Sequence, residues 1–182
     1  DRTVLLGWMS CWYYGDKIPC AGFRGCMTLP RELTLRPTSC SESAEETSSA
    51  ECYALCQRPA REIYDNLSVA TEYRNITSLS LPEGPCRICF EALPDQVSMT
   101  LAPAAAGPAL HISIQDGKMT IDRTGCGPKS LGPHFHRSFS CAVSNQLELI
   151  IDTMSIEIFA DGGQQTGTFL LFAGAPLSVL NS

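Results

Sequence analysis

Five carboxylates could carry acid–base or nucleophilic chemistry in this chain: Asp16, Glu32, Asp152, Glu157 and Asp161. Hydrolysis by a carboxylate pair needs two such groups held about 5–5.5 Å apart. None of the five sits in a motif that would bring two together. Asp152 and Glu157 fall on either side of a hairpin turn and read as exposed strand charges, so no catalytic residue is assigned. Cys86-x-x-Cys89 has the spacing of a redox or zinc motif. A redox thiol belongs at a helix start, where the helix dipole lowers its pKa, yet this pair lies in a strand-like run. Structural zinc needs four ligands, and Cys52-x3-Cys56 is a loose match for the second pair. His134-Phe135-His136 places two imidazoles on one strand face with no carboxylate near in sequence, which favours solvated loop-edge histidines. Neither a metal nor a cofactor is expected. Trp8 and Trp12 offer aromatic planes of the kind that take the apolar C–H face of a sugar ring. Tyr14 and Asp16 are weaker candidates for the same rim, and a core role for either tryptophan is the alternative.

The elements that must position these groups are β. Val4-Leu5-Leu6 is a short apolar run of the kind a buried strand uses, and Arg31 to Leu35 reads as another strand. Residues 36–51, RPTSCSESAEETSSAE, are Ser/Glu/Thr-rich with little to bury, which predicts an exposed linker. Glu51 to Arg61 opens with a short helical turn limited by Pro59. Glu72 to Leu81 carries strand residues ended by Pro82. Arg87 to Leu93 alternates, with Ile88, Phe90 and Ala92 on one face. Prolines flank the turn region Ala102 to Pro108. Leu110, Ile112 and Ile114 alternate with polar residues up to the Asp116-Gly117 hairpin turn. Further strands follow around Leu147–Ile151, Ile156–Phe159 and Thr168–Phe172, with turns at Thr153-Met154 and Asp161-Gly162-Gly163. Short strands at this spacing predict an all-β sandwich or barrel, and a two-sheet antiparallel β-sandwich is preferred.

A chain of 182 residues, 44% hydrophobic, is long enough for one good domain or for one domain and a piece of another. A net charge of −6 argues against a nucleic-acid surface and suits neutral substrates. No apolar run approaches the roughly 20 residues of a membrane span. The sequence begins without Met and without a signal peptide, as a processed protein or a fragment would. Ten cysteines suit disulfides in an oxidising compartment. Reduced, buried thiols are the alternative. The sequons Asn66-Leu67-Ser68 and Asn75-Ile76-Thr77 mark Asn66 and Asn75 as glycosylation candidates. Both signals point to a secretory route, extracellular or vacuolar.

GWMSCWYYGDKIP, a short spacer and RGCMTLPRELTLR resemble the last blade of the five-bladed propeller of glycoside hydrolase family 32, the invertases, inulinases and levanases. Cys11, Cys20 and Phe23 stand where Asn, Thr and Trp are common. Gln57-Arg58-Pro59 and Ile156-Glu157-Ile158-Phe159-Ala160-Asp161-Gly162-Gly163 match later family segments in order. The family's nucleophile, transition-state and acid/base carboxylates lie in motifs upstream of the GW block, and none occurs here. Glu51-Cys52 has the letters of the third motif but falls after PREL, where it reads as coincidence.

The resemblance implies the C-terminal part of a retaining β-fructofuranosidase. Residues 1–35 would be the last strands of a five-bladed β-propeller, 36–51 a linker and 52–182 an antiparallel two-sheet β-sandwich. An aromatic residue of this blade lines the fructose pocket in the family, which points to Trp8 or Trp12. Arg31 and Glu32 carry the PRE signature. As strand neighbours they point to opposite faces and are not expected to pair with each other; a structural role, tying the last blade to its neighbours or to the linker, is expected of them in place of catalysis. The implied partners are sucrose or a fructan through the complete enzyme, and the rest of the propeller in the same or a second chain; a homo-oligomer is a further expectation. A non-catalytic carbohydrate-binding or oligomerisation module, or a degenerate truncated family member, is the alternative.

Overall fold

The structure is a computed structural model that describes residues 1–20, 22, 24–38, 51–67, 78–82, 84–90, 92–93, 95–103, 110–172 and 177–181. The first three strands are β1 (Thr3–Leu5), β2 (Arg31–Thr38) and β3 (Cys52–Pro59), followed by a one-turn helix α1 (Arg61–Tyr64). Next come β4 (Ser78–Ser80), β5 (Cys86–Phe90), β6 (Gln96–Pro103), β7 (Leu110–Gln115) and β8 (Lys118–Asp122). The remaining strands are β9 (Ser138–Ala142), β10 (Leu147–Asp152), β11 (Ser155–Ala160), β12 (Gln165–Leu170) and β13 (Leu177–Asn181). They form three antiparallel sheets, ordered β1-β2-β3, β12-β11-β10-β5 and β4-β13-β6-β7-β8-β9. The chain is all-β, as its strand spacing predicts.

Period-two patterning builds the core. In β7, Leu110, Ile112 and Ile114 are buried while His111, Ser113 and Gln115 are exposed. Asp116 and Gly117 both take positive φ, 51° and 70°, the conformation a two-residue hairpin turn requires. Inward side chains of the four- and six-stranded sheets join in one hydrophobic cluster, from Met99, Ile112 and Met119 on one side to Leu149, Ile156 and Ile158 on the other. Strand β11 is buried at all six positions. Ile156, Ile158 and Ala160 enter the core, and its other face lies beneath residues of the three-stranded sheet.

The structure corrects several sequence expectations. Val4, Leu5 and Leu6 are exposed, because nothing among the described residues packs on the edge strand β1 or on the residue that follows it. Residues 52–59 form no helical turn: they pair with β2 along its whole length, from Arg31↔Pro59 to Thr38↔Cys52. Strand β2 itself runs three residues past Leu35. His134 and His136 lie in a turn instead of a strand, around a fully buried Phe135. The middle of the Ser/Glu-rich run, the Glu72–Ile76 stretch, Asn75 and most of the Ala102–Pro108 turn lie outside the described residues.

Candidate functional site

The aromatic group of the first segment is held by a backbone clasp. Met9 N–H donates to Cys26 O (2.8 Å), Thr28 N–H to Gly7 O (2.8 Å), and Gly7 N–H to the Thr28 hydroxyl (3.0 Å). The Trp8 ring lies against Gly25, whose φ is +104°; a Cβ there would stand 2.3 Å from Trp8 Nε1. Trp8 is 41% exposed, and Trp12 packs on it at 5.2 Å and is 89% exposed. Tyr13 stacks on His134 at 3.9 Å, so these aromatics sit beside the 134–136 turn. Tyr14 goes the other way. It is buried, edge-on to Phe135 at 5.3 Å. Asp16 is exposed in the 3-10 turn Gly15–Lys17. Of the four residues singled out for sugar contact, Trp8 and Trp12 form one exposed aromatic surface.

A second constellation lies where the three-stranded sheet meets β11. Arg31 and Glu157, 126 positions apart, form an ion pair of 2.5 Å with side chains only 6% and 4% exposed. Arg31 Nε also donates to Glu157 Oε2 (3.2 Å), its Nη1 to Gln57 (3.1 Å) and its Nη2 to the Thr168 hydroxyl. Its guanidinium lies over Phe159. The other Glu157 oxygen accepts the Leu29 N–H at 2.6 Å. Glu157 is therefore no exposed strand charge, because the first segment covers the outer face of β11. The sequence carries a signal for this: a lone carboxylate bracketed by Ile156, Ile158 and Phe159. Glu32 points away from Arg31 and pairs with Arg2 at 2.8 Å, while Arg2 also binds Glu62. That interaction, first through the hydrogen bond, holds the Glu62 carboxyl down to about 2.

The remaining carboxylates serve turns. Asp161 accepts the N–H groups of Ser144 and Asn145, and Asp152 accepts that of Thr153. Next to Asp161, Gly163 sits against strand β3 so closely that a Cβ would stand 2.1 Å from the Gln57 carbonyl oxygen. Cys52 is disulfide-bonded. Cys11, Cys20, Cys26, Cys56, Cys86, Cys126 and Cys141 are thiols, and burial pushes Cys126 up to about 11. Cys86 and Cys89, three apart on β5, point to opposite faces. Among the described residues no three His, Cys, Asp or Glu side chains are gathered as metal ligands. Asn66 is exposed and bonds back to Glu62 O. No helix among the described residues is long and apolar enough to cross a membrane.

The all-β fold is shared with a solved exo-inulinase structure. Its counterpart in the exo-inulinase structure from Aspergillus awamori superposes with a TM-score of 0.72 at 21% identity, over 98% of this chain and 37% of that one. Residues 1–49 match the model of the glycosyl hydrolases family 32 N-terminal domain. The chain is 22% identical to levanase from Bacillus subtilis (strain 168), over 94% of this chain and 27% of the levanase. It is 21% identical to the extracellular exo-inulinase of Aspergillus awamori, over 93% of this chain and 33% of that enzyme. The resemblance to glycoside hydrolase family 32 is thus borne out. The chain spans only about a quarter to a third of the length of these curated relatives.

Proposed function

We propose that this chain is the C-terminal part of a retaining β-fructofuranosidase-type glycoside hydrolase acting on sucrose or a fructan. In this reading residues 1–35 supply the last strands of a five-bladed propeller, 36–51 the link and 52–182 an accessory β-sandwich. One observation carries it. The segments that bear the resemblance, PREL, QRP and IEIFADGG, meet in a single buried cluster through Arg31, Gln57, Glu157 and Gly163. Those residues then tie the blade to the sandwich and take no part in catalysis. The end of the family-model match at residue 49 agrees with a domain change within 36–51. Leu35 and Leu55, opposite each other across β2 and β3, are exposed with Tyr53 on the same face. An uncovered apolar face of this kind suits docking against the rest of the propeller, in the same chain or a partner chain.

Trp8 and Trp12 would line the sugar pocket, with Asp16 at its rim and Tyr14 anchoring the segment beneath. The carboxylate pair that forms and hydrolyses the fructosyl ester comes from upstream blades. A secretory location is part of this reading, supported by the extracellular relative, the Cys52 disulfide and the exposed Asn66. The test is fructose release from sucrose and inulin by the purified 182-residue chain. None is expected; release above a buffer blank overturns the division of labour.

A second reading, a non-catalytic carbohydrate-binding module, is favoured by the exposure of Trp12. Titration with fructans and plant polysaccharides, followed by tryptophan fluorescence, separates the two. Saturable binding by the chain alone favours the module.

A further inference from the structure

We propose that the cleft where β3 meets the Asp161–Gly163 turn binds a small oxyanion, a phosphate or carboxylate on a body the size of one sugar. This site is separate from the tryptophan surface. The cleft encloses about 250 Å³ between Arg58 on β3, Arg87 on β5 and Gln146 before β10, with Cys89, Glu148 and Phe159 also in its lining.

Its charge is cationic although the chain as a whole carries −6. Arg58 has no acidic partner among the described residues. Arg87 lies over the Tyr64 ring and commits its Nε to Glu148 Oε1 at 2.7 Å. Its two Nη groups remain for a ligand, since guanidinium carries five N–H donors in a planar fork. A third guanidinium stands at the rim: Arg36 Nη1 lies 2.7 Å from where a Gly162 Cβ would be.

The acids nearby are already used. Glu148 accepts from Arg87 on one oxygen and from the Tyr64 hydroxyl on the other (3.2 Å), and Asp161 binds backbone N–H groups of the Ser144–Asn145 loop. Gly162 and Gly163, both at positive φ, add no side chain to fill the space. Forked guanidinium donors meeting in a half-enclosed groove match the paired oxygens of a carboxylate or phosphate. The cleft's volume fits an organic body better than a bare ion.

The experiment is calorimetric titration of the full chain at low ionic strength with glucose 6-phosphate, glucuronate, inorganic phosphate and glucose. One-site binding of either sugar acid, at least tenfold tighter than glucose, is expected; which acid binds tells phosphate from carboxylate. Arg58→Gln is expected to weaken that binding at least tenfold. Gln146→Glu, an exposed position that adds a carboxylate to the rim, is expected to abolish it with the melting curve unchanged. Lys118→Gln, on the other sheet, is expected to leave it unaltered. Binding of glucose as tight as its acids, binding unaffected by Gln146→Glu, or equal weakening by Lys118→Gln would each overturn the proposal.

Discussion

Glu157→Gln tests whether charge compensation holds the first segment to the rest of the chain. The substitution keeps the shape of the side chain and an oxygen for the Leu29 N–H. It removes the carboxylate that, among the described residues, pairs with the buried Arg31 guanidinium. Breaking a buried pair by neutralising one partner costs about 3–5 kcal/mol, because the other charge is left uncompensated. In a chain of this length each kcal/mol lowers Tm by about 2–4 °C. The expected drop is therefore about 6–20 °C, read by calorimetry and by urea unfolding. Trp8 and Trp12 both lie in the first segment, so their fluorescence reports its release. The double variant Arg31→Met with Glu157→Met removes both charges and should recover more than half of the loss, since apolar replacement of a buried pair is often neutral. A loss below about 1 kcal/mol for Glu157→Gln, or no recovery in the double variant, would refute the reasoning. The segment would then be held by backbone pairing and packing alone.

Three further outcomes follow from the same geometry. Gly163→Ala places a methyl group on the Gln57 carbonyl at a φ of +92° and should cost about 2–4 kcal/mol in urea unfolding; a neutral result would mean that β3 does not abut this turn. The Cys126 thiol is raised by burial from 9.0 to about 11, so the unfolded chain releases its proton first as pH rises. Stability is then full below about pH 9 and falls between pH 9 and 11, a fall that Cys126→Ala should lessen when unfolding is compared at both ends of that window. Trp12→Ala should change stability by less than about 0.5 kcal/mol, as its ring is almost wholly exposed, while removing any fructan-induced change in tryptophan fluorescence; strong destabilisation would mean that the ring is covered.

Where local pattern and tertiary outcome coincide, the sequence was readable. The alternation of β7, the Asp116-Gly117 turn and the β10–β11 hairpin all lie within short windows whose period is set by the pleat. The misreadings share one physical cause, which is that the partner surface is remote in the chain. Glu157 reads as a surface charge until Arg31, far upstream, is laid over it. Residues 52–59 read as a helical turn because their pairing partner is β2, across the Ser/Glu-rich run. Val4 to Leu6 are apolar yet exposed, because no described residue packs on the edge strand β1 or on the residue that follows it. For the candidate site, the aromatic types were legible. Their split, with Tyr14 turned into the core and Trp12 outward, depends on Phe135 and His134 more than a hundred positions away.

The place of β13 has a consequence for how the chain comes into being. This strand lies between β4 and β6 in the six-stranded sheet, paired to both. A ribosome emits it about a hundred residues after β4 and long after β6 to β9 could have zipped together as neighbouring hairpins. Until then both flanking strands expose an open edge, and β4 has no partner among the described strands. Loop-closure entropy makes such late, long-range pairing slow, and open edges invite pairing with other nascent chains. Folding yield in translation should therefore depend on how quickly residues 177–181 are delivered and on how well the vacant slot is shielded while it waits.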